Sequence, residues 1–127
     1  MEVNSEFALC RLEEIPEGSA RGFAVERAEE KPLRLIVVRL ADGVRVYENR
    51  CPHRGTPLDW APDRFLDESG EYLQCSTHAA LFRLEDGECV SGPCQGEFLK
   101  ARGSSVRDGI VFLGPSEEGF DLSSRLG

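Results

Sequence analysis

Two short segments of this chain each place a cysteine close to a histidine. Cys51 and His53 are separated by one residue, and Cys75 and His78 are separated by two. Twenty-one residues lie between His53 and Cys75, and the chain has only these two histidines. Two thiolates and two imidazoles can hold one zinc ion tetrahedrally, or an iron–sulfur cluster in which one iron takes the thiolates and the other the imidazoles. The spacing therefore predicts a metal centre built from two loops and leaves both chemistries open.

The residues around these four candidate ligands resemble those of the Rieske family. Pro52 stiffens the first loop, Gly55 lets its backbone approach an inorganic core closely, and Gly92-Pro93 forms a third loop downstream. The family signature is C-x-H, a spacer, C-x-x-H and then a Gly-Pro loop that shields the cluster. The resemblance extends over about residues 7–113, which is nearly the whole chain.

This resemblance implies a Rieske-type 2Fe-2S cluster. Cys51 and Cys75 would bind the inner iron, while His53 and His78 would bind the outer, solvent-facing iron. Neutral imidazoles in place of two thiolates lower the negative charge of the site, which raises the reduction potential above that of four-thiolate ferredoxins. The exposed imidazoles would then be the route by which electrons enter and leave.

Four positions depart from the respiratory branch of the family. Where that branch has a bridging pair of cysteines, this chain has Thr56 and Thr77, and where it has a serine and a tyrosine that bond to the cluster, this chain has Ala80 and Phe82. Fewer hydrogen-bond donors predict a potential in the lower part of the family range of about −150 to +300 mV. The sequence therefore resembles an oxygenase-associated ferredoxin more than a quinol-oxidising subunit.

The elements that must position these loops are short strands. The sequence predicts nine or ten of them at spacings near ten residues, without a helical period. Asp42-Gly43 predicts a two-residue type I′ hairpin turn that leads to Cys51, and Asp108-Gly109 predicts another turn. Two further hairpins are predicted around residues 67–71 and 85–87. The predicted strands cover residues 7–12, 22–28, 33–40, 44–47, 81–84, 88–90, 98–101, 106–107 and 110–113, and residues 65–66 and 72–73 are the two arms of the small hairpin around residues 67–71.

Strands of this length and spacing predict an all-β barrel or sandwich. The resemblance refines this to a Rieske-like fold, an antiparallel β barrel or sandwich base that carries an inserted cluster-binding subdomain. We expect a single domain over residues 1–113, with the subdomain at about residues 48–95. Residues 114–127 lack periodicity and are expected to form a loose tail.

Composition narrows the function classes. Fifteen basic and 23 acidic residues give a net charge of −8, which disfavours nucleic acid and anionic membranes and suits a partner with a basic surface patch. The N-terminal residues lack a signal-peptide pattern and no apolar run reaches membrane-spanning length, so we expect a cytoplasmic protein. Five cysteines, two of them assigned to metal, indicate reduced thiols rather than disulfides.

Other reactive or aromatic residues have two interpretations each. Trp60 could pack under the first loop or contact a partner, and Arg54 could favour the reduced cluster or be a solvated loop charge. Cys10 and Cys89 are interpreted as small buried hydrophobic residues. Cys94 follows the Gly-Pro loop, so a redox-sensing thiol is the alternative to a buried one.

The leading functional hypothesis is a ferredoxin that carries single electrons from a flavoprotein reductase to an oxygenase or other redox enzyme, without being an enzyme itself. One alternative is a small accessory subunit of a larger reductase, similar to the nitrite reductase small subunit. Another is a structural Cys2His2 zinc domain. An oxygenase in its own right is disfavoured, because its catalytic iron needs two further histidines and the chain has none left.

Overall fold

A computed structural model of the chain describes residues 5–27, 31–52, 55, 57–59, 64–75, 80–116 and 120–125. Over these residues the chain forms eleven strands and one short 3-10 helix, and all paired strands are antiparallel. No helix in this part of the chain is long and apolar enough to cross a membrane. The prediction of an all-β antiparallel fold is confirmed. The strands are β1 Ser5–Arg11, β2 Ala20–Arg27, β3 Leu33–Leu40, β4 Gly43–Glu48, β5 Tyr72–Gln74, β6 Leu81–Arg83, β7 Cys89–Ser91, β8 Ala101–Arg102, β9 Ser104–Arg107, β10 Ile110–Ser116 and β11 Phe120–Arg125, and the 3-10 helix spans Leu12–Glu14.

The strands form three sheets. A five-stranded sheet in the order β11-β2-β3-β4-β8 shares one hydrophobic core with the sheet β1-β10-β9 and a second core with the small sheet β5-β6-β7. The small sheet lies between β4 and β8 in the chain. It is therefore an insertion into the base, as the sequence predicts.

Strand β3 separates the two cores. Leu35 and Val37 point into the core shared with β1 and β10, and Ile36 and Val38 point into the core shared with the small sheet. Because successive side chains of a strand alternate between faces, a strand buried on both sides needs the continuous apolar run seen here. Each of these side chains is fully buried, which stabilises the fold by roughly 1.5–3 kcal/mol per residue.

Tyr47 of β4 attaches the small sheet to the base. Its hydroxyl donates a 2.7 Å hydrogen bond to the backbone oxygen of Leu84, at the turn after β6. Burial raises the pKa of Tyr47 above its usual value, so the hydroxyl remains a donor at all ordinary pH values. At Gly87, with φ of +78°, an added Cβ would lie 2.9 Å from the Tyr47 ring. The ring therefore packs directly on the backbone of the β6–β7 turn.

The predicted type I′ turn at Asp42-Gly43 is wrong. Leu40 pairs with Gly43, so the two loop residues are Ala41 and Asp42. A type I′ turn needs positive φ at both, whereas Asp108 is the one non-glycine residue with positive φ in the described part of the chain. Register in β3 is set by burial on both faces, since a slip of one residue would exchange the two cores. That constraint outweighs the local preference of the Asp-Gly pair.

The second Asp-Gly pair does form this turn. Arg107 pairs with Ile110 across a two-residue loop, and φ is +53° at Asp108 and +75° at Gly109. The hairpins predicted around residues 67–71 and 85–87 are also present, with Leu66 bridged to Leu73 and β6 paired with β7.

The end of the chain differs from the loose tail that the sequence predicts. Strand β10 continues to Ser116, and β11 pairs antiparallel with β2. Without β11, the edge of β2 would present unpaired backbone N–H and C=O groups. Backbone hydrogen bonds of this kind do not depend on an apolar side-chain pattern, which is why the composition of this segment did not reveal the strand.

Candidate metal centre

The first loop begins directly after β4 and is held by its own backbone. Cys51 follows β4 by three residues and is fully buried. The backbone N–H of Gly55 donates a 2.6 Å hydrogen bond to the carbonyl oxygen of Cys51. Gly55 has φ of +76°, and a Cβ there would lie 3.2 Å from Nε of Arg50. The close return of the chain therefore depends on glycine at this position.

Asn49 fixes both ends of the first loop. It is the one buried polar or charged residue in the described part of the chain, at 7% exposure. Its Oδ1 accepts a 2.7 Å hydrogen bond from the backbone N–H of Leu58, and its Nδ2 donates to Oδ1 of Asp59 at 3.0 Å. A buried amide with both ends bonded orients the segment on either side of it. Sequence reasoning missed this residue, although an Asn two positions before a candidate ligand is a usable signal for a loop-forming side chain.

The second loop is closed by a backbone hydrogen bond at its base. Cys75 follows β5, is fully buried, and donates its N–H to the carbonyl oxygen of Ala80 at 2.9 Å. Ala80 directly precedes β6, so the β5–β6 hairpin holds the two ends of the loop together. Ala80 and Phe82 are both fully buried in the core that contains Cys75.

The third loop contacts the second through glycine. Gly92 has φ of +109°, and a Cβ at this position would lie 2.8 Å from Cα and 3.0 Å from Cβ of Ala80. No side chain fits in this space without movement of the backbone. Gly92 is therefore required by both conformation and contact.

Cys94 connects the third loop to the first. Its Sγ lies 3.1 Å from Sγ of Cys89, and both residues are 1% exposed. Burial, together with interactions with the thiols of Cys89 and Cys51, raises the pKa of the Cys94 thiol to about 12. The predicted burial of Cys10 and Cys89 is confirmed, and Cys94 is a buried, protonated thiol rather than an exposed reactive one.

Of the four predicted ligands, the structure describes two, Cys51 and Cys75. Cys51 and Cys75 belong to the same buried cluster of side chains. The candidate ligands His53 and His78 lie outside the described residues, as do the four other residues singled out in the loops, Arg54, Thr56, Trp60 and Thr77. Within the described ranges no group of three or more His, Cys, Asp or Glu side chains could hold a metal ion. The four-residue ligand set therefore stays a prediction.

The described half of the site fits a cluster with two thiolate ligands. Two fully buried thiols come from separate loops, and a glycine loop packs against the end of the second. Thiolates are the usual protein ligands of iron–sulfur clusters. The described residues therefore form a small β domain with two buried cysteines in one core, a pair of donors that such a cluster can use.

Comparison with known proteins identifies the family. The model of the Rieske [2Fe-2S] domain matches residues 5–107. Because this match spans most of the 127 residues, the chain belongs to the Rieske [2Fe-2S] domain family. The resemblance described above and the cofactor that it implies, a Rieske-type 2Fe-2S cluster, are thereby confirmed.

Relatives agree in both sequence and fold. A 3-phenylpropionate/cinnamic acid dioxygenase ferredoxin subunit from Photorhabdus laumondii subsp. laumondii is 28% identical over 115 residues, which cover 90% of this chain and 98% of that protein. A complex of reduced oxygenase and oxidized ferredoxin in carbazole 1,9a-dioxygenase contains a similar fold, with a TM-score of 0.67 and 24% identity over 91% of this chain and 97% of that chain. The terminal oxygenase of carbazole 1,9a-dioxygenase from Novosphingobium sp. KA1 matches with a TM-score of 0.71 and 23% identity over 94% of this chain. This chain covers only 32% of that oxygenase chain.

Proposed function

We propose that this chain is a one-electron carrier whose 2Fe-2S cluster is bound by Cys51, His53, Cys75 and His78. The observation that carries the proposal is the burial of Cys51 and Cys75 in one core, although twenty-three residues separate them in the chain. Membership of the Rieske family supplies the cluster type. When bound, the cluster accepts and releases a single electron.

The remaining residues of the site position the ligands and exclude water. Asn49 orients the first loop, and the hydrogen bond from the Cys75 N–H to the carbonyl oxygen of Ala80 closes the second, so each candidate cysteine lies at a hydrogen-bonded end of its loop. Ala80 and Phe82 are buried and lack hydroxyl groups that could donate to the cluster. Fewer donors stabilise the reduced state less, which supports a potential in the lower part of the range of about −150 to +300 mV. A midpoint near the upper end, measured by voltammetry, would contradict this reasoning.

The proposed pathway runs from a flavoprotein reductase, through this chain, to an oxygenase in the cytoplasm. Support comes from the relative that is a dioxygenase ferredoxin subunit, which this chain matches over 98% of its length. The chain would have no oxygenase-type catalytic iron of its own, because such an iron needs two further histidines and both histidines of the chain are assigned to the cluster.

Reconstitution tests this role. Purified brown protein should be reduced by NADH in the presence of a catalytic amount of a ferredoxin-linked flavoprotein reductase, and it should be reoxidised by an oxygenase of the ferredoxin-dependent type. Its reduced form should give the low-average-g electron paramagnetic resonance signal of mixed Cys/His ligation, and alanine at His53 or His78 should abolish that signal. Colourless, zinc-containing protein, or a cluster that does not cycle, would refute the proposal.

A further inference from the structure

Two adjoining grooves flank the first loop, and their described residues carry mostly positive charge. One groove is lined by Cys51, Pro52 and Phe98, the other runs towards Arg34, and both share Glu48, Arg50 and Gly55. We call the surface formed by Arg34, Arg50, Phe98 and Lys100 the cationic face. It borders the residues that are proposed to hold the cluster.

The positive charge of this face is only weakly compensated. Among the described residues that line the two grooves, Glu48 is the one carboxylate. The side chain of Glu48 is 17% exposed, and its Oε2 already forms an ion pair with Arg102 at 2.8 Å. The Nζ of Lys100 lies 3.9 Å from the same oxygen. The side chain of Lys100 is 74% exposed. Within the described part of the chain, Arg34 and Arg50 form no ion pair.

Phe98 provides an exposed apolar side chain in the groove that Arg50 and Lys100 also line. It is 53% exposed, whereas its neighbour Leu99 is 2% exposed. A backbone bridge to Glu88 and the bond from the N–H of Leu99 to Gly87 hold the segment in place. A rigidly held, exposed aromatic side chain beside charged residues is typical of the anchor residues at protein interfaces.

The sign of this face is opposite to that of the whole chain. The net charge of −8 suits a partner with a basic surface patch, although the same charge can serve solubility alone. The Debye length is only about 8 Å at physiological ionic strength, so charges next to the contact outweigh distant ones once two proteins approach. The described charges that line the two grooves therefore favour an anion over a cation.

We propose that the cationic face docks an acidic surface on the redox partner, with Phe98 inserted into an apolar depression between the acidic groups. This inference rests on the proposed function, because it places the partner next to the first cluster loop. Arg34, Arg50 and Lys100 contribute steering and orientation, and Phe98 contributes the buried contact. The contact brings the partner's redox centre close to the cluster.

Small redox ions test the charge of this face without a protein partner. Reduced holoprotein is mixed with ferricyanide, a multivalent anion, or hexaammineruthenium(III), a multivalent cation, and each ion takes one electron from the cluster. We expect the oxidation rate with ferricyanide to fall as salt is added, because local attraction is screened, and the rate with hexaammineruthenium(III) to rise. The charge of the whole chain would give the opposite salt dependence for both ions.

Matched variants separate the face from the net charge. R50Q/K100Q and R11Q/R107Q each remove two positive charges, but Arg11 and Arg107 lie on the sheet β1-β10-β9. The first variant should lower the ferricyanide rate at low ionic strength by roughly tenfold, and the second should change it little. Equal effects of the two variants, or a ferricyanide rate that rises with salt in the parent protein, would overturn the proposal and leave the carrier function intact. A cluster that neither ion can oxidise would instead refute the carrier function.

Phe98 is tested with the oxygenase that accepts electrons in the reconstitution. F98A should raise the KM for the carrier several-fold while leaving the ferricyanide rate and the electron paramagnetic resonance signal unchanged. R50Q/K100Q should raise the same KM, and the effect should shrink at high salt. A KM that neither variant changes would show that the partner binds elsewhere.

Discussion

The contact between Gly92 and Ala80 gives a sharp test of how the third loop supports the second. Replacement of Gly92 by alanine places a Cβ 2.8 Å from Cα of Ala80, at a residue with φ of +109°. Unfavourable backbone conformation costs about 1–3 kcal/mol, and overpacking against backbone costs about 1–3 kcal/mol more. Since whole domains are stable by only about 5–15 kcal/mol, G92A should be severely destabilised.

Gly96 in the same loop provides the matched control. Its φ of +93° is similar, but a Cβ there would have no heavy atom within 4 Å. G96A therefore carries the conformational cost alone, and the difference between the two variants measures the contact with Ala80. A difference of about 2 kcal/mol corresponds to a roughly thirty-fold faster loss of the cluster, if the strain is released in the transition state for loss.

The measurement is the rate at which visible absorbance bleaches at a fixed urea concentration, since loss of a cofactor makes equilibrium unfolding ill-defined. A80G removes the Cβ that lies 3.0 Å away but leaves the Cα at 2.8 Å, so G92A/A80G should recover only part of the loss. Bleaching rates of G92A and G96A that agree within twofold, or effects of G92A and A80G that simply add, would refute the reasoning.

Three further predictions concern the other elements of the site. N49A should speed cluster loss and destabilise the protein by about 1–3 kcal/mol, because it leaves the buried N–H of Leu58 without its acceptor. Burial alone would raise the pKa of Asp67. Hydrogen bonds from Ser69 and from three backbone N–H groups lower the pKa by more than burial raises it, so the net shift is downward. Its stabilising effect should be complete above about pH 4 and lost as the pH falls through the lowered pKa, so the stability difference between parent and D67N should shrink on acidification. Removal of iron by a chelator should speed hydrogen exchange in β5–β7 more than in β1 and β10.

A specific result would contradict each of these three predictions. Unchanged bleaching in N49A would mean that Asn49 does not fix the first loop. If the difference in bleaching rate between parent and D67N, measured at a fixed urea concentration, grew below pH 4, the sign of the linkage argument would be reversed. Uniform loss of protection across all three sheets after chelation, measured by mass spectrometry, would show that the two cores do not respond separately.

Most of the strands were predictable because their side-chain patterns are local. The bounds of β3 agree with the predicted residues 33–40, and the hairpins around residues 67–71 and 85–87 follow from their turn residues. The prediction of a type I′ turn at Asp42-Gly43 was wrong because the register between β3 and β4 depends on two cores that lie on opposite faces of β3. Strand β11 was missed because its pairing uses backbone groups that every sequence offers.

The candidate site likewise contains residues that the sequence reveals and contacts that only the structure reveals. Cys51 and Cys75 are candidate ligands because of their spacing to His53 and His78, since few other constellations place Cys and His together at these intervals. The role of Asn49 depends on the path of the loop, which returns nine residues later to bring Leu58 to its side chain. The contact between Gly92 and Ala80 joins a loop to a strand end twelve residues earlier. Neither contact has a periodic signature in the sequence.

The division into two cores explains how the domain can exchange electrons without losing its structure. The core shared by β1, β2, β3 and β10 contains no candidate ligand, whereas the other core contains both Cys51 and Cys75. Because both candidate ligands lie in the second core, we expect binding of the cluster to stabilise that core more than the first. With Cys51 and Cys75 as ligands, reduction would add charge on the side of this second core. The first core lies on the other face of β3 and contains neither cysteine, so we expect it to hold the base in place through the redox cycle.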